Sequence, residues 1–214
     1  MVCLYRMWWC LSTVYPDDGL PFAFLFCTDM PIATPALHLA PELLLKAQGI
    51  RAVFFQQHGA LATGCCYPSG NSEASLRYDR QDMTGLQMLL KMGYLPAVIF
   101  ERSEASVACF LATAGVETVI ANSGEDCVRA AEDLLKANGL SWQQTAVMGY
   151  DWQDLSLMCR AAFAAAPADA HLEVRAQAHY VSPATAGRGA ARSLCDVLLV
   201  ANGCYARLLK EYLV

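Results

Sequence analysis

Charge is what this sequence has least of. Only 16% of its 214 residues are Asp, Glu, Lys or Arg, and four are histidines. So sparse a charged surface is expected to be covered in part by other subunits. With 15 basic against 20 acidic residues and a net charge of −5, the chain lacks the basic stripe that a nucleic-acid backbone attracts. Its ten cysteines include no C-x-x-C pair, and several sit in apolar runs such as "SVACFLATAG". That spacing points to buried thiols in a reducing cytosol rather than to zinc or a disulfide framework. No stretch joins a basic n-region to a clean apolar run and a small-residue cleavage site, and no membrane span is expected. The chain is therefore read as cytoplasmic.

Residues 1–40 stand apart. They are rich in Trp, Phe and Cys and are broken by "PDDG" and by Pro16, Pro21, Pro31 and Pro35. They are left unassigned, as an apolar N-terminal segment. From residue 41 the punctuation becomes regular. "PELLLKAQG" opens with Pro and closes with Gly, a short helix. "RAVFF" is a buried strand, "LPAVIF" a second, "VETVIA" a third and "TAVMG" a fourth. Between them lie "DMTGLQMLLKMGY", "SEASVACFLATAG" and "GEDCVRAAEDLLKANG", each with helical periodicity and a terminal Gly. "AFAAA", "HLEVRAQ" and "HYV" continue as strand, helix and strand, and one last helix is expected from about Gly189. "CCYPSGNSEASLRY" carries a turn cluster from Pro68 to Asn71 and reads as a projecting hairpin. Alternating strands and helices predict a three-layer α/β domain over 41–214, built on a parallel sheet.

Ligands of such sheets bind beyond the carboxyl ends of the strands. Those ends are Gln56–His58, Phe100–Arg102, Ala121–Asn122 and Gly149–Asp154. In "IRAVFFQQHGALATG" the first strand runs into a polar loop that bends at Gly59 and holds no carboxylate.

The order of the motifs resembles the haloacid dehalogenase-like phosphatases. Within them it is similar to the branch of 3-deoxy-D-manno-octulosonate 8-phosphate phosphatase, which includes the phosphatase-like domain of CMP-sialic acid synthetase (acylneuraminate cytidylyltransferase). The resemblance covers about residues 41–205. It is carried by "APADAH" (166–171), "AGRGAAR" (186–192), "LSWQQTAVMGYDWQDLSLM" (140–158), "FERS" (100–103) and "YDRQDMTGLQMLL" (78–90).

The resemblance implies a D-x-D-G loop after the first strand, whose first Asp attacks phosphorus and ligates Mg²⁺ while the second moves a proton. Gln56 stands at the nucleophile position and His58 at the acid/base position, with Gln57 between them. Phe100 replaces the hydroxyl residue that touches phosphate. "IANSGEDCVRAA" offers no Lys for the cationic clamp, leaving Asp126 or Cys127 there. "GYDWQD" has Tyr150 for the metal-binding Asp, while Asp151 and Asp154 persist. Arg102 is expected to pair with one of these carboxylates, or to bind an anion. Arg188 either contacts a ligand or marks a turn. Asp169 is expected to order its loop or cap a helix.

On these residues the expectation is a catalytically degenerate phosphatase-like domain. It would form oligomers, most simply tetramers through the hairpin, beside a cytidylyltransferase partner or a lost neighbouring domain. No cofactor, nucleic acid or membrane is expected. The alternatives are an octulosonate 8-phosphate phosphatase-type hydrolase with residual or altered activity, which would use Mg²⁺, and a regulatory module that binds a sugar acid or nucleotide.

Overall fold

A computed structural model describes residues 37–63, 77–100, 111–121 and 124–213. Six strands form one sheet in the order β3-β2-β1-β4-β5-β6. They are β1 (Ala52–Gln56), β2 (Leu95–Phe100), β3 (Glu117–Ile120), β4 (Thr145–Met148), β5 (Phe163–Ala166) and β6 (Tyr180–Val181). Every pairing is parallel, with Phe54 opposite Ala97 on one side and Val147 on the other. The sheet runs outward from β1 to β3, then crosses back to β4. The crevice between the carboxyl ends of β1 and β4 is therefore the topological switch point, where such sheets bind ligands.

The helices are α1 (Pro41–Ala47), α2 (Arg80–Lys91), α3 (Gly124–Ala137), α4 (Leu155–Met158), α5 (Leu172–Gln177), α6 (Ala190–Ala201) and α7 (Tyr205–Glu211). Alternate strand residues face alternate layers, as a period of two requires. Val53, Phe55, Val98, Met148 and Phe163 pack with α2 and α6. Phe54, Ile99 and Val147 pack with α3, α4 and α5 on the other face. Both faces are covered, so the central strands read as unbroken apolar runs. The single last helix expected from Gly189 is two helices: Gly203, at φ 70°, turns the chain between α6 and α7. No helix among the described residues is long and apolar enough to cross a membrane. The expected hairpin and most of segment 1–40 lie outside the described residues. At the hairpin's base, Ala62 and Tyr78 pair in an antiparallel bridge.

Helices α2 and α6 approach closely because α2 carries Gly85, where a Cβ would stand 3.0 Å from Arg192 Cδ. One turn earlier Asp82 is buried, 1% exposed. Its carboxylate accepts the amides of Gly189 at 3.1 Å and Arg192 at 2.7 Å, satisfying the open amino end of α6. Burial pushes its pKa up from 3.8 to about 6, although the backbone amides oppose the shift. The folded chain therefore holds this proton up to about pH 6, while the unfolded chain releases it near 3.8. The resulting stability is full below pH 3.8 and is lost as pH rises through about 6. Its upper limit is about 3 kcal/mol. Replacing Asp82 by Asn removes the titration. Urea midpoints at pH 4 and pH 7 should then differ less for Asp82→Asn than for the parent chain, and parallel pH profiles would sink the assignment.

Candidate functional site

The crevice is built from the loops that follow β1 and β4. After β1 the chain folds back tightly: Leu61 N–H donates to Gln56 O at 3.3 Å, Ala62 N–H to Gln57 O at 2.8 Å, and Gly59 N–H to Ala62 O at 3.0 Å. Gln56 and Gln57 are buried, at 6% and 1% exposed. The Gln57 amide donates to the Tyr78 hydroxyl at 3.2 Å, tying this loop to the approach of α2. His58 is half-buried at the turn itself.

The β4 loop is organised by its own carboxylates. Asp154, 1% exposed, accepts Tyr150 N–H at 2.7 Å and Asp151 N–H at 3.1 Å. Asp151 accepts Trp152 N–H at 2.7 Å and also the Asp154 N–H, and the latter with the Asp151 N–H bond to Asp154 makes a capping box on a single 3-10 turn. Tyr150 leans across the crevice onto Gly59. A Cβ built on Gly59 would fall 2.1 Å from Tyr150 Cγ, and Gly59 sits at φ +84°. The aromatic ring thus occupies the space above the β1 turn.

A third element closes the site. Asp169 accepts Ala186 N–H at 2.9 Å, which orders the glycine-rich segment, one of the two roles the sequence suggested. Gly187 N–H donates to Ala60 O at 3.3 Å, and a Cβ there would stand 2.5 Å from Thr63 N. Arg188 follows directly and is exposed. The segment is thus held from β5 by Asp169, from the β1 loop by Gly187 and from α2 by Asp82.

The structure brings Gln56, Gln57, His58, Tyr150, Asp151, Asp154 and the Arg188 segment to one end of the sheet. Phe100 ends β2 but is 1% exposed in the layer with Phe55 and Val98, so it faces packing rather than a polar opening. Arg102 lies outside the described residues. Asp126 and Cys127 lie in the first turn of α3; Cys127 is buried and Asp126 accepts from Arg129 at 3.3 Å. Trp152 is 62% exposed and donates its indole N–H to His171 Nδ1 at 2.8 Å. Asp82 had no local signal, because its partners lie 107 and 110 residues away.

Among the described residues no three His, Cys, Asp or Glu side chains converge as a metal site. Gln56 and Tyr150 are neutral, and Asp154 holds the Tyr150 and Asp151 amides through Oδ2. This donor set does not match the all-oxygen, carboxylate-rich coordination Mg²⁺ takes.

No family model matches the chain. Among curated proteins it is 30% identical over 165 residues to the 3-deoxy-D-manno-octulosonate 8-phosphate phosphatase KdsC of Salmonella typhimurium, spanning 77% of this chain and 87% of that one. Its counterpart in Yersinia pestis is 28% identical over 164 residues. The phosphatase of Moraxella catarrhalis, solved with magnesium, phosphate and KDO, superposes with a TM-score of 0.75 at 26% identity, covering 80% of this chain and 98% of that one. The cobalt-bound phosphatase of Haemophilus influenzae gives 0.73 at 27% identity, over 79% and 99%.

These relatives correct two expectations. The reading as a non-catalytic assembly domain is overturned by relatives that are phosphatases and by a solved one holding phosphate and the sugar acid. The expectation of no cofactor falls with it, since solved relatives hold magnesium or cobalt. Both expectations rest on residue types at strand ends and equate a missing carboxylate with a missing reaction. By sequence and by fold, the chain belongs to the haloacid dehalogenase-like superfamily, in the 3-deoxy-D-manno-octulosonate 8-phosphate phosphatase branch.

Proposed function

We propose that this chain is a phosphatase-type hydrolase of a phosphorylated sugar acid, with an altered reacting centre. The reading is carried by one observation: the β1 loop, the β4 loop and the glycine-rich segment meet at the switch point of a chain 30% identical to a sugar-acid phosphatase. His58 is the group there that can take a proton from an attacking water and return it to the leaving alkoxide. In that step the water oxygen bonds phosphorus, the ester P–O bond breaks, and the proton passes through the imidazole. Arg188, exposed on the segment packed against the same loop, supplies a guanidinium to pair with phosphate or carboxylate.

The test is inorganic phosphate release from 3-deoxy-octulosonate 8-phosphate, with Mg²⁺, with Co²⁺ and with a chelator. Release above the buffer rate is expected in at least one condition. Losing the proton shuttle in His58→Ala should cost roughly 10²-fold or more. A parent chain no faster than buffer, or an unchanged His58→Ala variant, ends this reading.

The kinship with the CMP-sialic acid synthetase domain belongs to the same proposal and is supported by motif order alone. So does a homo-oligomer, most simply a tetramer, joined through residues 65–78. A low charged fraction of 16% supports it. Light scattering on the same preparation decides, and a monomer removes it.

A further inference from the structure

A second concavity lies at the amino ends of β5 and β6, on the opposite side of the sheet from the crevice. Its volume is about 340 Å³, and Lys46, Met158, Cys159, Gln177 and His179 line it. None of its lining residues is acidic. Lys46 is exposed in the last turn of α1 and has no ion-pair partner among the described residues. Cys159 is an exposed free thiol just beyond α4.

His179 is held in a defined state. Ala164 N–H donates to its Nδ1 at 2.9 Å. A ring nitrogen that accepts carries no proton, so the imidazole proton sits on Nε2. Phe163 stacks on the ring at 5.8 Å between centroids and fixes its plane. Burial, and then the nearby Lys46 charge, hold the His179 pKa below its ordinary value, which keeps the ring neutral near pH 7. Protonating Nδ1 would also set it against the Ala164 amide. The ring therefore presents a fixed N–H donor rather than a switchable charge.

We propose that this cleft is an oxyanion site that takes a phosphate group, free or at the end of a phosphorylated metabolite. The Lys46 ammonium, the His179 Nε2–H and the Gln177 amide are its donors, and the Cys159 thiol is a weak fourth. With no carboxylate in the lining, no ionised side chain there repels a dianion. The inference stands apart from the reading of the crevice, because it uses none of the same residues.

The test is a titration of the full chain with inorganic phosphate, and separately with glycerol 2-phosphate, followed by NMR at the His179 ring and the Ala164 amide. Saturable shifts at both positions are expected. Lys46→Gln, at an exposed position that leaves packing intact, should weaken binding by about tenfold or more. Tighter binding of the ester identifies a phosphorylated metabolite as the occupant, and tighter binding of the free ion identifies phosphate. Absence of saturable shifts at His179, or equal binding by Lys46→Gln, overturns the proposal.

Discussion

Restoring the carboxylates should raise phosphate release by about 10²-fold or more. The variant is Gln56→Asp/His58→Asp/Tyr150→Asp, assayed on 3-deoxy-octulosonate 8-phosphate with Mg²⁺. The first change supplies a nucleophile in place of a neutral amide, and the second a carboxyl that can give and take a proton. The third does more than add charge. Tyr150 packs against Gly59, so the shorter Asp also opens the space above the β1 turn. Together with Asp151, the new carboxylates offer the oxygen donors that Mg²⁺ prefers. A single well-placed electrostatic partner is worth about 10²–10³ in rate, which sets the scale. The gain should stop short of a full site, because no Lys stands near the start of α3, where Asp126 and Cys127 lie. Each step is separable. Gln56→Asp/His58→Asp alone, with Tyr150 still in place, should gain far less than the triple variant. A triple variant that folds, shown by an unchanged urea midpoint, yet is no faster than its parent would remove the crevice as the reacting centre.

The fold was legible where local pattern and tertiary demand agree. Val53–Phe55 and Val98–Phe100 are apolar throughout because both faces of a parallel sheet are covered, and such runs need no partner to be recognised. Helices α2 and α3 end near Gly93 and Gly139, each at positive φ, as their sequences indicated. The break at Gly203 was also written in "ANGC", but the apolar periodicity on both sides hid it. The site was legible as a place and not as chemistry. Gln56, His58 and Tyr150 could be assigned to strand ends by motif order. That Tyr150 covers Gly59 depends on the crossing from β1 to β4, which no local window contains. Asp82 was the plainest omission. A carboxylate in the first turn of an amphipathic helix usually faces water, and here it caps a helix 107 residues away. The expectation of a non-catalytic domain failed against the phosphatase relatives for a related reason. A residue type at a strand end tells which mechanism is lost from that position, and says less about what the surrounding loops still bind.

Gly59→Ala should destabilise the chain by about 3 kcal/mol. Two costs combine. Gly59 is at φ +84°, where an L-residue costs roughly 1–2 kcal/mol. The new Cβ also meets Tyr150 Cγ at 2.1 Å and Cβ at 2.4 Å, and overpacking of that kind adds about 1–3 kcal/mol. Gly93 separates the two. It has nearly the same backbone, φ +77°, and nothing within 4 Å of its Cβ position. Gly93→Ala therefore reports the backbone cost alone, and the difference between the two variants reports the ring. Truncating the ring should return that difference. In the double variant Gly59→Ala/Tyr150→Gly, which removes the Tyr150 Cβ as well as the ring, the added cost of the methyl should fall to the Gly93→Ala value, a coupling of about 1–3 kcal/mol between neighbours in contact. Urea midpoints of the four proteins and the parent measure it. Equal losses at Gly59 and Gly93, or additive effects of Gly59→Ala and Tyr150→Gly, would show that Tyr150 does not rest on the β1 turn. The switch-point crevice would then be open above His58, and the triple-carboxylate variant would owe none of its gain to the removal of the ring.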